Sequence, residues 1–444
     1  MRLSLIAFLI LLPISTGFCM QKNTIHKFKL DNGLNIVVQE DHRAPVVVSQ
    51  IWYKVGSVDE SRGTTGLSHA LEHMMFLGTK EVPNGEFSKV IADLGGYENA
   101  FTSEDQTVYY EEIGKQHLET CLKLEADRMR NLLFDEKDIL RELEVIKEER
   151  RLRVEDDPHG LTWERFIATA YMSGGYQNPV IGWMADIEAL TVSDLKKWYQ
   201  KWYAPNQATL VVVGDVVADD VFALSKKYFA DIPRGPEVAD KPKDEVVSLG
   251  QKNIQVHVQS QVPYLLVGFD TPSMGSSAEE DAKDVYALML LQAVLDGGYS
   301  ARFEKNLIRR KTLASSIGVN YDPFQRYRTQ FTISALPSEE TDLQTLRSGI
   351  STEIEDIQKN GVEADELARA KMSFISEFVY DKDSMRQQAM QLGALTLIGF
   401  DVNKIDSIVD NIKEVSGTQV QRVAQKYLVS RGQTVAEMIP EPSE

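Results

Sequence analysis

Two of the chain's seven histidines stand four residues apart, in His69-Ala70-Leu71-Glu72-His73. Residues at that spacing share one face of a helix, so both imidazoles reach a single ion. Zinc takes imidazole nitrogen and carboxylate oxygen, and a catalytic zinc keeps one position open for water. Glu72 lies beside His73 and three residues after His69. Its carboxylate is placed to take a proton from such a water. The order H-x-x-E-H is the reverse of H-E-x-x-H. A purely structural reading makes both imidazoles core residues bonded to their neighbours. The helix is otherwise apolar at Leu67, Ala70, Leu71, Met74, Met75 and Phe76. Burying two imidazoles and a carboxylate among these needs strong compensation, and a metal supplies it.

A third ligand must come from elsewhere. Residues 136–155 read as a helix that carries Glu142 and Glu149 seven apart on one face, with Val145 and Ile146 between them. Charges crowd that helix, and composition does not choose between the two glutamates.

The elements that hold these residues follow from pattern. Residues 33–40 (GLNIVVQE) and 46–54 (VVVSQIWYK) are β-branched and apolar, as strands are. Residues 66–77 read as a helix opened by Thr64 or Thr65 and closed by Gly78; 85–94 read as another, stopped by Gly95-Gly96. Residues 97–113 give one or two strands. Helices are expected over 115–133, 136–155 and 193–203, then a buried strand over 208–213 that ends at Gly214. Residues 232–246 hold three prolines among many charges and read as a linker. After it the cycle restarts: strands near 253–259 and 264–269, helices at 279–296 and near 301–310, strands at 313–320 and 327–335, long helices to about 427 and a last strand near 433–438.

The halves look duplicated. KKWYQKWYAPNQATLVV from Lys196 aligns with QRVAQKYLVSRGQTVAE from Gln421, matching Thr209 to Thr434 at an offset of 434 − 209 = 225 residues. The expected fold class is α+β: two homologous domains, each a mixed sheet layered with helices. The expected division is an export signal at 1–19, a metal-binding domain at 20–235, a linker at 236–247 and a second domain at 248–444.

The 444 residues are 43% hydrophobic, enough for a sizeable core, and carry a net charge of −18. So acidic a chain repels nucleic acid. Arg2 followed by the short apolar run Leu3–Pro13 reads as a secretory signal cut between Gly17 and Met20, too short to span a bilayer. No membrane span is expected in the mature chain, which is placed in a bacterial periplasm or the medium. Of two cysteines, Cys19 lies at the cleavage site and Cys121 is left alone, so no structural disulfide is expected.

Several motifs in order carry a family resemblance: GLSHALEHMMFLGT from Gly66, NAFTSEDQTVYYEE from Asn99, RELEVIKEERRLRVEDDPHG from Arg141, and PVIGWMADIEALT from Pro179. They resemble the inverzincin zinc metallopeptidases, the family of pitrilysin, insulin-degrading enzyme and the mitochondrial processing peptidases, in its short two-domain exported bacterial form. The likeness is strong over about residues 30–215 and continues to about 435. It implies half of a family clamshell and one Zn2+ per chain. By position Glu149 matches the third ligand, 149 − 73 = 76 residues past His73. Glu142 matches the outer supporting carboxylate. Asn99, Ala100 and Phe101 match the stretch that holds substrate backbone as an added β-strand. LIRRKTLASS from Leu307 offers Arg309 or Arg310 as the arginine of the second domain, but Ser315-Ser316 stands where the family has a tyrosine. The resemblance thus implies a zinc endopeptidase for short or unfolded peptides, working as a homodimer or as a heterodimer with a related zinc-lacking chain. Two alternatives remain: a catalytic subunit silent without that partner, and a non-catalytic binding or assembly member of the family.

Overall fold

The structure, a computed structural model, describes residues 24–239, 245–246, 248–276 and 281–441. The expected export signal and part of the linker lie outside the described residues.

The first half runs β1 (Ile25–Lys29), β2 (Asn35–Glu40), β3 (Val46–Tyr53), α1 (Leu67–Met74), α2 (Glu86–Asp93), β4 (Tyr97–Thr102), β5 (Thr107–Gly114), α3 (Leu118–Asn131), α4 (Glu136–Arg150), α5 (Pro158–Ala170), α6 (Met184–Ala189), α7 (Val192–Trp202), β6 (Ala208–Gly214) and α8 (Ala218–Phe229). The second runs β7 (Lys252–Gln259), β8 (Tyr264–Thr271), α9 (Ala282–Leu295), β9 (Ala314–Asn320), β10 (Thr329–Pro337), α10 (Leu343–Asn360), α11 (Ala364–Asp381), α12 (Met385–Leu397), α13 (Asp406–Glu414), α14 (Gly417–Tyr427) and β11 (Gln433–Glu441).

The fold is α+β, and its two sheets share one plan. The first has the order β1-β2-β6-β3-β5-β4, the second β7-β11-β8-β10-β9. In each, the last strand of the half inserts centrally, parallel to one neighbour (β6 to β2, β11 to β7) and antiparallel to the other (β3, β8). The helices before them carry matching capping boxes, Thr191 with Asp194 and Ser416 with Gln419, again 416 − 191 = 225 residues apart. Only β1 has no counterpart among the described residues.

The halves exchange helices. α5 of the first half lies on β11, β7 and β8 of the second sheet; α12 of the second half lies on β6 and β3 of the first. Glycine makes both contacts possible. A Cβ at Gly268 of β8 would overlap the Phe166 ring of α5, and one at Gly393 of α12 would overlap the Trp52 indole of β3. A buried polar seam joins the halves as well. Arg326 Nη1 donates to Asp59 Oδ2 at 2.9 Å, and its backbone N–H donates to Asp105 Oδ2 at 2.8 Å. Tyr176 Oη donates to both Asp105 oxygens at 2.8 Å.

Burial pushes the Asp105 carboxyl up to about 7, against the pull of Arg326. A folded-state value above the unfolded one means the native protein holds a proton that the unfolded chain releases. Stability contributed here is therefore greatest in acid and is lost as pH rises through about 7. Asp105→Asn lacks this titration, so denaturation at pH 5 and pH 8 should show a smaller loss of stability than in wild type. An equal loss would place the titration elsewhere.

Several expectations change. α1 is opened by Gly66, left-handed at φ 86°, and not by Thr64 or Thr65. The buried Glu60 caps it instead, accepting Gly66 N–H and Ser68 N–H at 2.7 Å each, while Thr65 Oγ1 bonds Asp186 at 2.6 Å. The helix expected over 136–155 stops at Arg150 and continues as a π turn over Arg151–Glu155. Residues 304–310 also wind as π rather than α. β1, α5, α6 and α8 were not expected. For α5 the signal was present: Asp157 accepts His159 N–H, and Pro158 opens the first turn.

Candidate metal centre

α1 lies against β4, α7 and α4. Leu67, Ala70, Leu71 and Met74 bury its apolar face, and His69 and His73 turn to α4 with their rings 4.8 Å apart. α4 is fixed at its start by Asp135, whose side chain accepts Lys137 and Asp138 N–H. Its buried stripe of Ile139, Leu143 and Ile146 presents Glu142 and Glu149 to α1.

Glu149 Oε2 stands 3.6 Å from His69 Nε2 and 3.4 Å from His73 Nε2. Among the described residues these three are the one group of histidine, cysteine and acidic side chains able to hold a metal ion, their donor atoms within 4.8 Å of one another. Donor atoms about 2.0–2.1 Å from a tetrahedral zinc stand about 3.3–3.4 Å apart, which the two Glu149 separations approach. Glu149 Oε2 is shielded from solvent and has no hydrogen-bond partner, a costly state for a carboxylate oxygen unless a cation meets it. The donor set thus fits zinc.

The surroundings prepare the ligands. His73 Nδ1 meets Glu142 Oε1 at 3.0 Å, which puts the ring proton on Nδ1 and leaves Nε2 free to ligate. Burial, with the charge of His73, lowers His69 to about 4, so it stays neutral. His73 is shifted up: burial opposes the shift, but the neighbouring carboxylates of Glu149 and Glu142 outweigh it. The His73 imidazole beside it holds Glu149 below its ordinary value, and Arg153 Nη1 occupies its other oxygen, Oε1, at 2.7 Å. Glu72 lines one cavity with this set without belonging to it. Thr102 Oγ1 donates to its Oε2 at 2.5 Å, and burial raises its carboxyl against the pull of that bond. A raised carboxyl suits a general base.

A cavity of about 1070 Å³ opens onto these groups, and Asn99, Ala100, Phe101 and Thr102 form one wall. That wall is β4, which pairs with β5 on one side and with no strand among the described residues on the other. Asn99 is exposed; its Nδ2 donates to Tyr97 Oη at 3.0 Å. Arg309 and Arg310 are not brought to the cavity. Arg309 stacks 3.7 Å over the Tyr299 ring and pairs with Glu304 at 3.4 Å, and Arg310 reaches Asn306 at 3.5 Å. Tyr321 is buried, bonding the Pro272 carbonyl at 2.6 Å. Thr102 and Arg153 were missed by sequence reading, although both lie inside the quoted motifs. Arg153, four residues after Glu149, was the more findable.

If Glu142 supports a ligand, Glu142→Ala should weaken zinc binding about 10–100-fold with the fold kept. Competition against a chelator measures this, and unchanged affinity would leave Glu142 a bystander.

Residues 35–182 match the family described as Insulinase (Peptidase family M16), and residues 189–374 match the Peptidase M16 inactive domain. The chain is 30% identical over 419 residues to a Helicobacter pylori protein named zinc protease PqqE, covering 93% of this chain and 92% of that one. A crystal structure of a protease from Helicobacter pylori shares the fold with a TM-score of 0.88 at 28% identity, over 94% of this chain and all of that one. The periplasmic protease PqqL from Escherichia coli shares it with a TM-score of 0.76 at 19% identity, over 94% of this chain and 48% of PqqL.

Proposed function

This chain belongs to the M16 peptidases, and from that premise we propose that it is a zinc-dependent endopeptidase cutting short or unfolded peptides. The zinc ligands are His69, His73 and Glu149, and the general base is Glu72. The observation that carries this is the unpartnered Glu149 Oε2 facing two imidazole Nε2 atoms, with a raised carboxyl beside them. The match to the inactive domain begins at residue 189, so all four residues lie in the other matched segment.

Bound zinc supplies Lewis acidity, polarising a carbonyl and making water more acidic. The chain's own groups do the rest. Glu72 takes the proton of the attacking water at Oε1, since Thr102 holds Oε2, and delivers it to the leaving amine. The open edge of β4 receives substrate backbone as an added strand, which binds many sequences because main-chain bonds do the holding. Asn99 steadies that strand beside the scissile bond.

The same proposal places the chain in the periplasm, with its signal at 1–19 and domains at 20–235 and 248–444. Among the described residues no helix is long and apolar enough to cross a membrane. The chain matches about half of PqqL, which favours assembly with a second copy or a related zinc-lacking chain. Gel filtration with activity read across the fractions tests this: activity should elute at twice the chain mass or more, and activity in a monomer peak would contradict it.

A further inference from the structure

Beneath β4 lies a charge cluster that the proposed reaction does not use. Opposite residues of a strand ladder point to one face of the sheet. Between β4 and β5, Glu98 stands opposite Glu111, Ala100 opposite Tyr109 and Thr102 opposite Thr107. That face of β4 therefore runs from Glu98 through Ala100 to Thr102, the residue that bonds Glu72. α3 brings Glu125 and Arg128 against Glu111. Glu111 and Glu125 are fully buried, and Arg128 nearly so. Arg128 Nε donates to Glu125 Oε2 at 2.9 Å, and its Nη2 donates to Oε1. The guanidinium lies 4.2 Å over the Phe87 ring and 4.4 Å over the Tyr109 ring. Glu111 is left out of these bonds: its Oε1 is 3.6 Å from Arg128 Nη2, and neither of its oxygens has a hydrogen-bond partner. Glu98 Oε2 is shielded from solvent without one as well.

Three carboxylates around one guanidinium, out of water, are too costly to stay ionised together. A metal does not resolve the excess: among the described residues only His69, His73 and Glu149 form a group able to hold one. A proton does. Carboxylates are acceptors only, so Glu111 and Glu125 bond each other only with a hydrogen between them. Burial pushes Glu111 far above the usual carboxylate range, Glu125 beside it adds to the shift, and Arg128 opposes it. Among the described residues the other groups around the cluster bring no second cation. They are Ser49 and Tyr53 of β3, Tyr109 of β5, Ser88 of α2 and Cys121 of α3, whose thiol is itself pushed up by burial and by the two glutamates. We propose that Glu111 is protonated in the native chain, donates to Glu125, and holds β4 against α3 until alkali removes the proton. A carboxyl that keeps its proton longer in the native state than in the unfolded one places the loss on the alkaline side. Ionised Glu111 then repels Glu98 and Glu125, and the displaced strand carries Thr102 with it. The proposal rests on the reading of β4 as the strand that takes substrate, and adds a pH limit set from behind that strand.

The proton and the lock are read separately. Infrared difference spectra between wild type and Glu111→Gln at pH 7 should show the carbonyl stretch of a protonated carboxyl, lost in the variant. Glutamine copies the shape and the donor of a protonated glutamate, so this variant should fold. Glu125→Gln should remove the same band, because Glu111 then ionises against Arg128. A fluorescein-labelled unfolded peptide is next titrated by anisotropy into zinc-loaded Glu72→Gln protein at pH 7 and pH 10. A step linked to one proton costs up to about tenfold in affinity per pH unit, so binding should weaken about 10-fold or more at pH 10. The Glu72→Gln, Glu111→Gln double variant should keep its affinity. No band at pH 7 overturns the proposal whatever the peptide does. A band that survives to pH 10, or an alkaline loss that the double variant shares, overturns the lock. A protein that shows the band and binds no peptide at either pH overturns the peptidase reading, and the lock with it, while the proton stands.

Discussion

Glu72→Gln should lower peptide cleavage about 10²–10⁴-fold while leaving zinc content and thermal stability unchanged. Glutamine keeps the shape and still accepts from Thr102, whose hydroxyl now meets Glu72 Oε2. It cannot carry a proton from water to the leaving amine. It is not needed as a ligand, because His69, His73 and Glu149 make up the donor set. It also removes a carboxyl whose ionisation burial disfavours, so stability should not fall. The discriminating comparison is with His73→Ala, which should lose metal and activity together. If Glu72→Gln also lost its zinc, Glu72 would be a ligand and the assignment of roles would fail. If it cut as fast as wild type, the base would have to be sought elsewhere.

Arg326→Met should destabilise the whole chain by about 3–5 kcal/mol, the usual result of removing one partner from a buried ion pair. Arg326 and Asp59 are both nearly inaccessible, at 6% and 7% exposure. The guanidinium bonds Asp59 from one half while its own chain belongs to the other. Without it Asp59 is stranded in a low-dielectric seam. Asp59→Asn in the Arg326→Met background should recover part of the loss, because the two effects share one interaction. The measurement is denaturant unfolding of the two single variants and the double. Strictly additive losses would show that the pair carries no coupling between the halves.

How far the site could be read from residues depends on the distances in sequence that link its parts. His69 and His73 were legible because four residues is the repeat of a helix face, and no tertiary knowledge is needed to bring them together. Glu149 was not legible that way. Glu142 lies on the same face of α4, and only the packing of α4 on α1 separates them: Glu149 Oε2 faces both Nε2 atoms, while Glu142 takes His73 Nδ1 from outside. Thr102 was hidden because its role depends on where β4 passes α1. The cap of α1 was misread for a related reason. Local rules look for a hydroxyl or carboxylate at the residue before the helix; Glu60 reaches the same N–H groups from six residues before Gly66.

The fold was legible at the level of layers and repeat. The 225-residue offset predicted from two short segments reappears in the matched capping boxes and in the central position of β6 and β11. The exchange of α5 and α12 between halves was not. An amphipathic pattern tells which face of a helix is buried, but it carries no record of which sheet covers it. The arginine of the second domain was sought at Arg309 or Arg310 from position alone; Tyr299 and Glu304 hold Arg309 elsewhere.

The most direct test is cleavage of an unstructured fluorogenic peptide by the purified mature chain, first as isolated, then after a chelator has removed its metal, then after zinc is restored. Cleavage that stops with the chelator and returns with one zinc per chain is the predicted result. Cleavage that persists in zinc-free protein, or a chain that binds no zinc at all, would contradict it.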